Sequence, residues 1–435
     1  MFVPSKNLIV CVSVFLAGLV ATAQERRLSS QVLPPPDAKS AFAVLASRNE
    51  DKYRLYPAFY GYVISPHAVV EKGKVFCAFQ NSQGQPIVMA YDIKGRSWSE
   101  PVKTSTFGLG GDAHGNPSIC IDSQGYLHVF YGCHGGPMRH TRSAEPYNVA
   151  AWQEQSPPTP KATYPQSLRM ADGTICLFYR AGGHMEPWSL RTSRDNGRTW
   201  SDPERIIEMR LEPRDPLAAA YCCFFPGSDG KTIHCFWNHK DDNAALVKGD
   251  REHPWRPLKY KGLGEAVYRY NIYYIRRDPD GVWRNAAGEK MNLPISKAQA
   301  DARCMVYDSG DEFTGVSALA VDNNNRAYIK FRTGVVDWTK GYDNPKAVIV
   351  PWRTKFAHFE SGKCHVSDEI PAAWPPEIVS LVNTPGEPAY GDKSSGLWFV
   401  GCTRTALLPG FGSCVFLWSD KTGYATRRNG PANVE

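Results

Sequence analysis

The chain has 435 residues, of which 12% are aromatic, and its 37 glycines and 33 prolines favour an all-β protein rich in turns. The formal net charge of +7 is mild and the basic residues are scattered, so nucleic-acid binding has no support, whereas weak attraction of an acidic glycan is compatible with it. The twelve cysteines are not spaced like the disulfide framework of a small secreted domain.

The N-terminal residues have the pattern of a secretory signal. Lys6 precedes an apolar run from Leu8 to Val20, and Ala21-Thr22-Ala23 fits a small-residue cleavage site. A membrane anchor is the alternative, but the run is shorter than the ~20 residues that a span requires. We therefore expect residues 1–23 to be removed and residues 24–435 to form a single domain. That domain should be a secreted or periplasmic monomer without a membrane span.

Six segments combine a turn containing Gly or Asn with a β-prone run, which is the pattern of a β-hairpin. They are Lys72–Phe79, Gln124–Tyr131, Asp172–Tyr179, Asp229–Trp237, Asn323–Phe331 and Ser395–Val400. The first four recur about every 50 residues, a spacing typical of propeller blades. The longer gap after the fourth leaves room for one more unit, with its strand near Val267–Ile275 and a turn at Asp278–Gly281. The sequence therefore predicts an all-β, seven-bladed β-propeller, and a two-domain β-sandwich is the alternative.

Histidines are concentrated between residues 114 and 140, and two of them have glycine neighbours. His114 precedes the strand expected at Pro117–Ile121, and His134 follows the strand expected at Tyr126–Tyr131. If these strands pair around a turn at Asp122–Gly125, the two histidines lie together at the end opposite the turn. The glycines would let a ligand approach the backbone there. Two hydrogen-bonded loop histidines without a functional role are the alternative.

The next hairpin carries Tyr164 and Arg180 at its two open ends, with a turn at Asp172-Gly173. An arginine that ends an otherwise apolar strand is costly to bury unless it meets an anion. Tyr221 and His239 stand at corresponding positions further along the chain. A propeller would bring such strand ends round one central pocket. A structural ion pair is the alternative for Arg180.

The segment Ser193–Trp200 reads S-x-D-x-G-x-T-W, the pattern called the Asp-box. Its Asp, Ser and Thr side chains can bond local backbone N–H groups, its Gly can adopt positive φ, and its Trp can pack beneath the turn. The motif resembles the repeat of bacterial neuraminidase-like β-propellers, in which it lies away from the active site. It therefore predicts the fold, and a turn that faces away from the site, rather than any chemistry.

The motifs around the histidines, Tyr164 and Arg180 resemble those of the BNR-4 type β-propellers, which include the ulvan lyases among the polysaccharide lyases. The shared features are Asp112-x-His114-x-Asn116, Leu127–His134, Tyr164-Pro165-Gln166 with Asp172-Gly173, and Tyr179-Arg180. In that family a His and a Tyr act as base and acid, and an Arg meets the uronate carboxylate. The resemblance implies that the catalytic residues are among His114, His134 and Tyr164, with either histidine as the proton-transfer partner of Tyr164. It also implies that Arg180 binds substrate, with Tyr221 and His239 as weaker assignments by position.

The implied activity is that of a secreted polysaccharide lyase which cleaves a uronate-containing, ulvan-like glycan by β-elimination. Arg180 would neutralise the carboxylate and stabilise the enolate-like intermediate, so no cofactor is required. A propeller rhamnosidase acting on rhamnosyl-glucuronate, with His67 as its candidate residue, and a non-catalytic glycan-binding propeller are the alternatives. A sialidase is disfavoured, because Tyr53–Pro57 is not the early Arg-Ile-Pro motif which that class needs.

A structural metal ion, zinc or calcium, is left open by the sequence. The side chains of suitable type are His184, Cys222 or its neighbour Cys223, Cys235 and His239. They come from different predicted strands, so their spacing does not establish a site. Cysteines within apolar runs are by default buried free thiols.

Overall fold

The computed structural model describes residues 68–80, 83–92, 97–110, 112–183, 185–211, 218–241, 269–310, 312–322, 324–334, 353–374, 397–402 and 415–419. Most of their regular structure is antiparallel β-sheet, joined by the short helix α1 (Lys297–Arg303) and a 3-10 turn at Ala113–Gly115. The all-β prediction is therefore confirmed. Within these ranges, no helix is long and apolar enough to cross a membrane. The predicted signal at residues 1–23, His67 and His184 all lie outside the described residues.

The first three sheets are built almost entirely from strands that follow one another along the chain. The strands are β1 (Ala68–Glu71), β2 (Lys74–Gln80), β3 (Pro86–Asp92), β4 (Ser97–Trp98) and β5 (Val102–Lys103) in the first sheet; β6 (Ser118–Ile121), β7 (Leu127–Tyr131), β9 (Arg139–Ser143) and β10 (Trp152–Gln155) in the second; and β11 (Ala162–Arg169), β12 (Ile175–Arg180), β13 (Trp188–Ser193) and β14 (Glu204–Ile207) in the third. One short strand departs from this order. Strand β8 (His134–Gly136) follows β7 in sequence but pairs with β11 of the third sheet.

The remaining described strands form two larger sheets and one hairpin. They are β15 (Ala218–Pro226), β16 (Ile233–Asp241), β17 (Arg269–Arg277), β18 (Trp283–Arg284) and β19 (Met305–Tyr307) in the fourth sheet; β20 (Phe313–Val321), β21 (Ala327–Gly334), β22 (Arg353–Glu360) and β23 (Lys363–Ser367) in the fifth; and β24 (Leu397–Cys402) with β25 (Val415–Ser419) in the hairpin. Consecutive sheets among the first five pack against each other, and β24 lies against β2 of the first sheet. This order is that of successive propeller blades rather than of a two-domain sandwich.

The sequence located the strands of all six hairpins but misplaced one further unit. The run near Val267–Ile275 was predicted to begin a blade of its own, whereas β17 is the third strand of the fourth sheet, paired with β16. That prediction is wrong. The two paired strands are separated by residues 242–268, and a connection of that length has no short turn motif that would predict the pairing. The count of seven blades stays a prediction.

The turn at Ser193–Trp200 has the hydrogen bonds expected from its sequence. The Asp195 carboxylate accepts bonds from the Thr199 N–H at 2.9 Å and from the Thr199 hydroxyl at 2.6 Å, and Ser193 Oγ accepts from the Gly197 N–H at 2.8 Å. The Asn196 side chain accepts a bond from Ser123, which lies in the turn between β6 and β7. The motif therefore lies at the turn end of the second sheet, away from the end where β6 begins.

A buried histidine joins the fourth and fifth sheets. The His234 ring is fully buried; its Nε2 lies 3.3 Å from Asn325 Oδ1 and its Nδ1 lies 2.7 Å from the Tyr274 hydroxyl. Because an amide oxygen only accepts, Nε2 carries the hydrogen and Nδ1 accepts from the tyrosine. Burial is the main reason that the pKa of His234 is lowered to about 4.

This lowered pKa makes stability depend on pH. Above the unfolded pKa of about 6.5 both states hold the ring neutral. As the pH falls from there towards 4, only the unfolded state takes up the proton, so the folded state loses about 1.4 kcal/mol per pH unit from this residue. We expect His234→Gln, which keeps one acceptor and one donor, to flatten the urea-unfolding stability curve between pH 6.5 and 4. An unchanged slope would contradict this account.

Candidate active site

Two histidine rings meet at the open end of the second sheet. Strands β6 and β7 pair in register, and the Gly132 N–H donates to the Gly115 carbonyl oxygen at 2.9 Å, which holds the two strand ends together. A Cβ on Gly115 would lie 2.8 Å from the backbone nitrogen of Cys133, so only glycine allows this approach. The rings of His114 and His134 stack with centroids 3.8 Å apart and planes 5° apart. The predicted proximity of these two residues is confirmed.

One carboxylate bridges both rings. Asp112 Oδ1 lies 2.5 Å from His114 Nδ1, and Asp112 Oδ2 lies 2.6 Å from His134 Nδ1. Although burial raises the pKa of Asp112, its hydrogen bonds to the two imidazoles outweigh that effect and hold this pKa well below its usual value. The side chains are part-exposed, at 30% for Asp112, 25% for His114 and 38% for His134. The sequence contained Asp112 within a motif but gave it no role, because its two partners lie on different loops.

Tyr164 is aimed at this pair by a β-bulge. In the pairing of β11 with β12, Thr163 is opposite Arg180 and Gln166 is opposite Phe178, so two residues of β11 face one of β12. Tyr164 adopts a φ of +60°, which is rare for a residue with a side chain. Its ring lies 4.9 Å from the ring of His114. Such strained backbone is characteristic of functional sites.

Arg180 ends β12 beside Tyr164, as the hairpin geometry predicted. Its guanidinium carbon lies 4.9 Å from the Tyr164 ring centroid and 5.8 Å from that of Tyr221. The side chain is fully buried, and its three nitrogens have no hydrogen-bond partner among the described residues. The predicted alternative, a structural ion pair, finds no acidic partner there either. Since a buried guanidinium without an anion is costly, this arrangement fits a ligand carboxylate.

Tyr221 is held beside Tyr164 by a buried amide. Gln166 donates from Nε2 to the Cys222 carbonyl oxygen and accepts from the Phe224 N–H, both at 3.0 Å, so the third sheet is fastened to β15. The rings of Tyr164 and Tyr221 are 5.7 Å apart. Tyr221 thereby joins the predicted site.

Two further cations, which the sequence analysis did not single out, surround the Tyr221 ring. Arg269 lies 4.5 Å and Lys240 lies 5.5 Å from its centroid, beside the more distant Arg180. Lys240 directly follows His239 near the end of a buried strand. A cation at the end of an apolar strand is also the sequence feature that identified Arg180. The ring of His239 itself lies 4.2 Å from the ring of Tyr270, at an interplanar angle of 32°. These charges make this part of the site attractive to an anionic ligand.

Of the residues considered for a metal ion, Cys222 and Cys235 lie within hydrogen-bond distance of each other, but in the described part of the chain no third metal-capable side chain completes a site with them. Cys222 and Cys235 are buried free thiols, and burial raises the pKa of Cys222 well above its usual value. Within the described ranges, three metal-capable side chains come together only at Asp112, His114 and His134. Tetrahedral zinc would hold its ligand atoms roughly 3.3 Å apart, so the shorter separations in that triad are those of hydrogen bonds. The metal prediction is neither confirmed nor contradicted by this.

Comparison with known proteins places these observations in a family. Residues 74–336 match the family described as BNR repeat-containing family member. An ulvan lyase from Alteromonas sp. (strain LOR) is 27% identical over 299 residues, which are 62% of this chain and 58% of that protein. The PL25 ulvan lyase from Pseudoalteromonas sp. (strain PLSV) matches with the same identity and coverage. The chain thus spans less than two thirds of the length of these relatives.

A solved structure shares the fold. The structure of a PL25 ulvan lyase bound to -[GlcA(1-4)Rha3S]- superposes with a TM-score of 0.61 at 23% sequence identity and covers 73% of each chain. The crystal structure of the polysaccharide lyase Uly1 superposes with a TM-score of 0.54 at 13% identity, covering 73% of this chain and 74% of that one. The arrangement of sheets described above is therefore one that known lyases adopt.

The unpaired charge of Arg180 has a measurable consequence for stability. We expect Arg180→Met to leave the melting temperature unchanged or higher, because the substitution removes a buried charge that has no described partner and keeps similar bulk. The matched control is Arg169→Met in the same hairpin, since Arg169 bonds Glu71 at 3.1 Å and the Asp122 carbonyl oxygen at 3.0 Å. In the control, the free energy of unfolding should fall by about 1–3 kcal/mol, and the melting temperature should fall with it. Equal losses in the two variants would mean that Arg180 has a structural partner.

Proposed function

This chain belongs to the BNR repeat-containing family, and we propose that it is a polysaccharide lyase which cleaves a uronate-containing glycan by β-elimination. The observation that carries the proposal is the buried Arg180 guanidinium, which lies against Tyr164 without a described hydrogen-bond partner. Tyr164 in turn stacks on His114, so a charge-neutralising group and two proton-transfer groups are adjacent. β-Elimination from a uronate needs this combination.

Arg180 would act on the carboxylate of the sugar. The proton on C5 of a uronate is only weakly acidic, and removing it places negative charge on the adjacent carboxylate. A guanidinium paired with that carboxylate stabilises the enolate-like intermediate. Because its nitrogens are buried, the substrate must displace the side chains that cover them, and the rings of Tyr164 and Tyr221 flank the guanidinium.

The two proton transfers would be divided between His114 and Tyr164. Asp112 occupies the Nδ1 side of His114, which leaves Nε2 as the nitrogen that can accept the C5 proton. A neutral phenol is a donor, so Tyr164 would give its proton to O4 as the C4–O4 bond breaks and the C4=C5 double bond forms. The stacked imidazolium then returns a proton to the phenolate and restores both groups. Arg180 supplies the charge in this scheme, so it requires no cofactor.

The substrate is proposed from charge and from the relatives together. Arg180, Lys240 and Arg269 surround one tyrosine ring, which favours a polymer with closely spaced anionic groups. The similar lyases are named for ulvan, and one of them was solved with -[GlcA(1-4)Rha3S]- bound. We therefore propose a sulfated, ulvan-like uronan as the substrate class. We also propose that the protein acts outside the cell after removal of residues 1–23, because its proposed substrate is a polysaccharide.

The test is incubation of the purified protein with ulvan and other uronans while the far-ultraviolet absorbance of the unsaturated product is followed. We expect the wild-type protein to form that product, and Tyr164→Phe and His114→Ala each to lower kcat by about 10²–10⁴-fold. The matched control is Tyr147→Phe, since Tyr147 lies at the turn end of the second sheet, where its backbone N–H donates to the Gly125 carbonyl oxygen and its hydroxyl donates to the Glu71 carboxylate. The control should retain full activity.

The alternatives give different products. A rhamnosidase on this scaffold would release saturated sugars without the absorbance change, and His67 would be the first residue to substitute. A glycan-binding propeller would retain ulvan on affinity electrophoresis and give no product after long incubation. Cleavage that persists unchanged in both Tyr164→Phe and His114→Ala would refute the assignment of these residues.

A further inference from the structure

The Asp112 carboxylate lies between the rings of His114 and His134 and bonds both. We propose that Asp112 is a positioning residue that fixes the tautomer of both imidazoles at once, so that His114 and His134 act as one pair that takes up a single proton. The expected effect on the reaction rate rests on the proposed function. The positions of the ring hydrogens do not, and they can be tested without any substrate.

The tautomers follow from the geometry. An ionised carboxylate has no hydrogen to donate, so each ring nitrogen within hydrogen-bond distance of it must carry one. Asp112 Oδ1 meets His114 Nδ1 at 2.5 Å, and Oδ2 meets His134 Nδ1 at 2.6 Å. Both neutral rings therefore carry hydrogen on Nδ1 and hold an acceptor lone pair on Nε2. Because the rings are parallel and stacked, both Nε2 atoms lie on the side away from Asp112.

Asp112 is itself held in place from two directions. Its Oδ1 also accepts the His114 backbone N–H at 2.9 Å. The Asp112 carbonyl oxygen accepts a bond from Nε2 of Gln80, a buried residue of β2 in the first sheet, at 3.1 Å. Rotation of the carboxylate would break three hydrogen bonds together. The lowered pKa of Asp112 agrees with a carboxylate held in its ionised form by these bonds.

The charge balance then limits how many protons the pair accepts. With both rings neutral the three groups carry one negative charge, and one added proton makes them neutral. A second proton would place two imidazolium rings face to face at 3.8 Å. Cys133 behind the loop and Tyr164 from β11 are titratable neighbours of the three groups, and Arg180 from β12 lies on the far side of Tyr164. Arg180 also opposes a second proton.

The informative substitution is Asp112→Asn, which is nearly isosteric. Its amide oxygen can accept from one ring, whereas its NH₂ group must donate to the other ring and force that hydrogen onto Nε2. We expect kcat to fall about 100-fold or more while KM changes little, as when an aspartate that orients a catalytic histidine is replaced by asparagine. The remaining activity should have its pH profile displaced to lower pH, because an amide does not stabilise an imidazolium as a carboxylate does.

The controls separate positioning from folding. Asp195→Asn makes the same chemical change in the turn at the far end and should leave both rate and profile unchanged. Asp112→Glu restores the charge and should recover the wild-type pH profile with part of the rate. Each of the three variants should keep a cooperative thermal transition above the assay temperature, so that the rates compare folded proteins. A kcat loss of less than about threefold in Asp112→Asn with an unmoved profile would overturn the proposal.

A second measurement does not depend on activity. Nitrogen-15 spectra of histidine-labelled protein distinguish a protonated from an unprotonated ring nitrogen, and His114→Gln and His134→Gln assign the two signals. We expect both rings to be Nδ1–H in the wild type and one of them to become Nε2–H in Asp112→Asn. Two Nε2–H rings in the wild type would refute the inference even if lyase activity is found. The expected tautomers without lyase activity would refute the proposed function instead.

Discussion

The pairing of β8 with β11 is the contact on which the site depends. This three-residue strand leaves the second sheet and joins the third, so His134 lies opposite Thr163, one residue before Tyr164. The Thr163 hydroxyl reinforces the junction, because it accepts from the Gly135 N–H at 3.0 Å and donates to the Gly182 carbonyl oxygen at 2.7 Å. One threonine thus joins the segments that carry His134, Tyr164 and Arg180. The pairing adds a backbone link between the sheets that carry the histidines and the tyrosine, beside the buried bond from the Ser167 N–H to the Ser118 hydroxyl.

The site lowers the stability of the folded protein, and packing in the surrounding core offsets this loss. A positive φ at Tyr164 costs about 1–3 kcal/mol, and a buried unpaired guanidinium is costly as well. Directly beneath, Trp188 donates to the Ala220 carbonyl oxygen, and Phe178 and Phe224 stack at 4.0 Å across the third and fourth sheets. Burial of such aromatic rings contributes several kcal/mol. The protein therefore places its strain where the apolar packing between two sheets is dense.

The sequence predicted what local chemistry determines. Turn residues followed by β-prone runs located the hairpins, and hairpin geometry then brought His114 to His134 and Tyr164 to Arg180. Features that depend on pairing between distant segments were not predicted. The membership of β17 in the fourth sheet is one, and the transfer of β8 to the third sheet is another.

Side chains that bridge separate loops were missed for the same reason. Asp112 precedes His114 by two residues, but its second partner, His134, enters from another strand. Lys240 and Arg269 meet over Tyr221 only after β16 and β17 pair. The spacing of residues within one segment does not indicate which distant segments pair, so these contacts could not be predicted from it.

The two ends of the second sheet show why residue type alone does not identify a catalytic group. At the turn end, Asp122, His128 and His140 form a chain of hydrogen bonds, so that one aspartate and two histidines lie together there as they do at the open end. There all three are fully buried, and burial lowers the pKa of both histidines, so their rings stay neutral under a covering tryptophan, Trp200. At the open end, the Asp–His–His group is between 25% and 38% exposed and faces Tyr164. Proton exchange needs a path to solvent or substrate, and only the open end provides one.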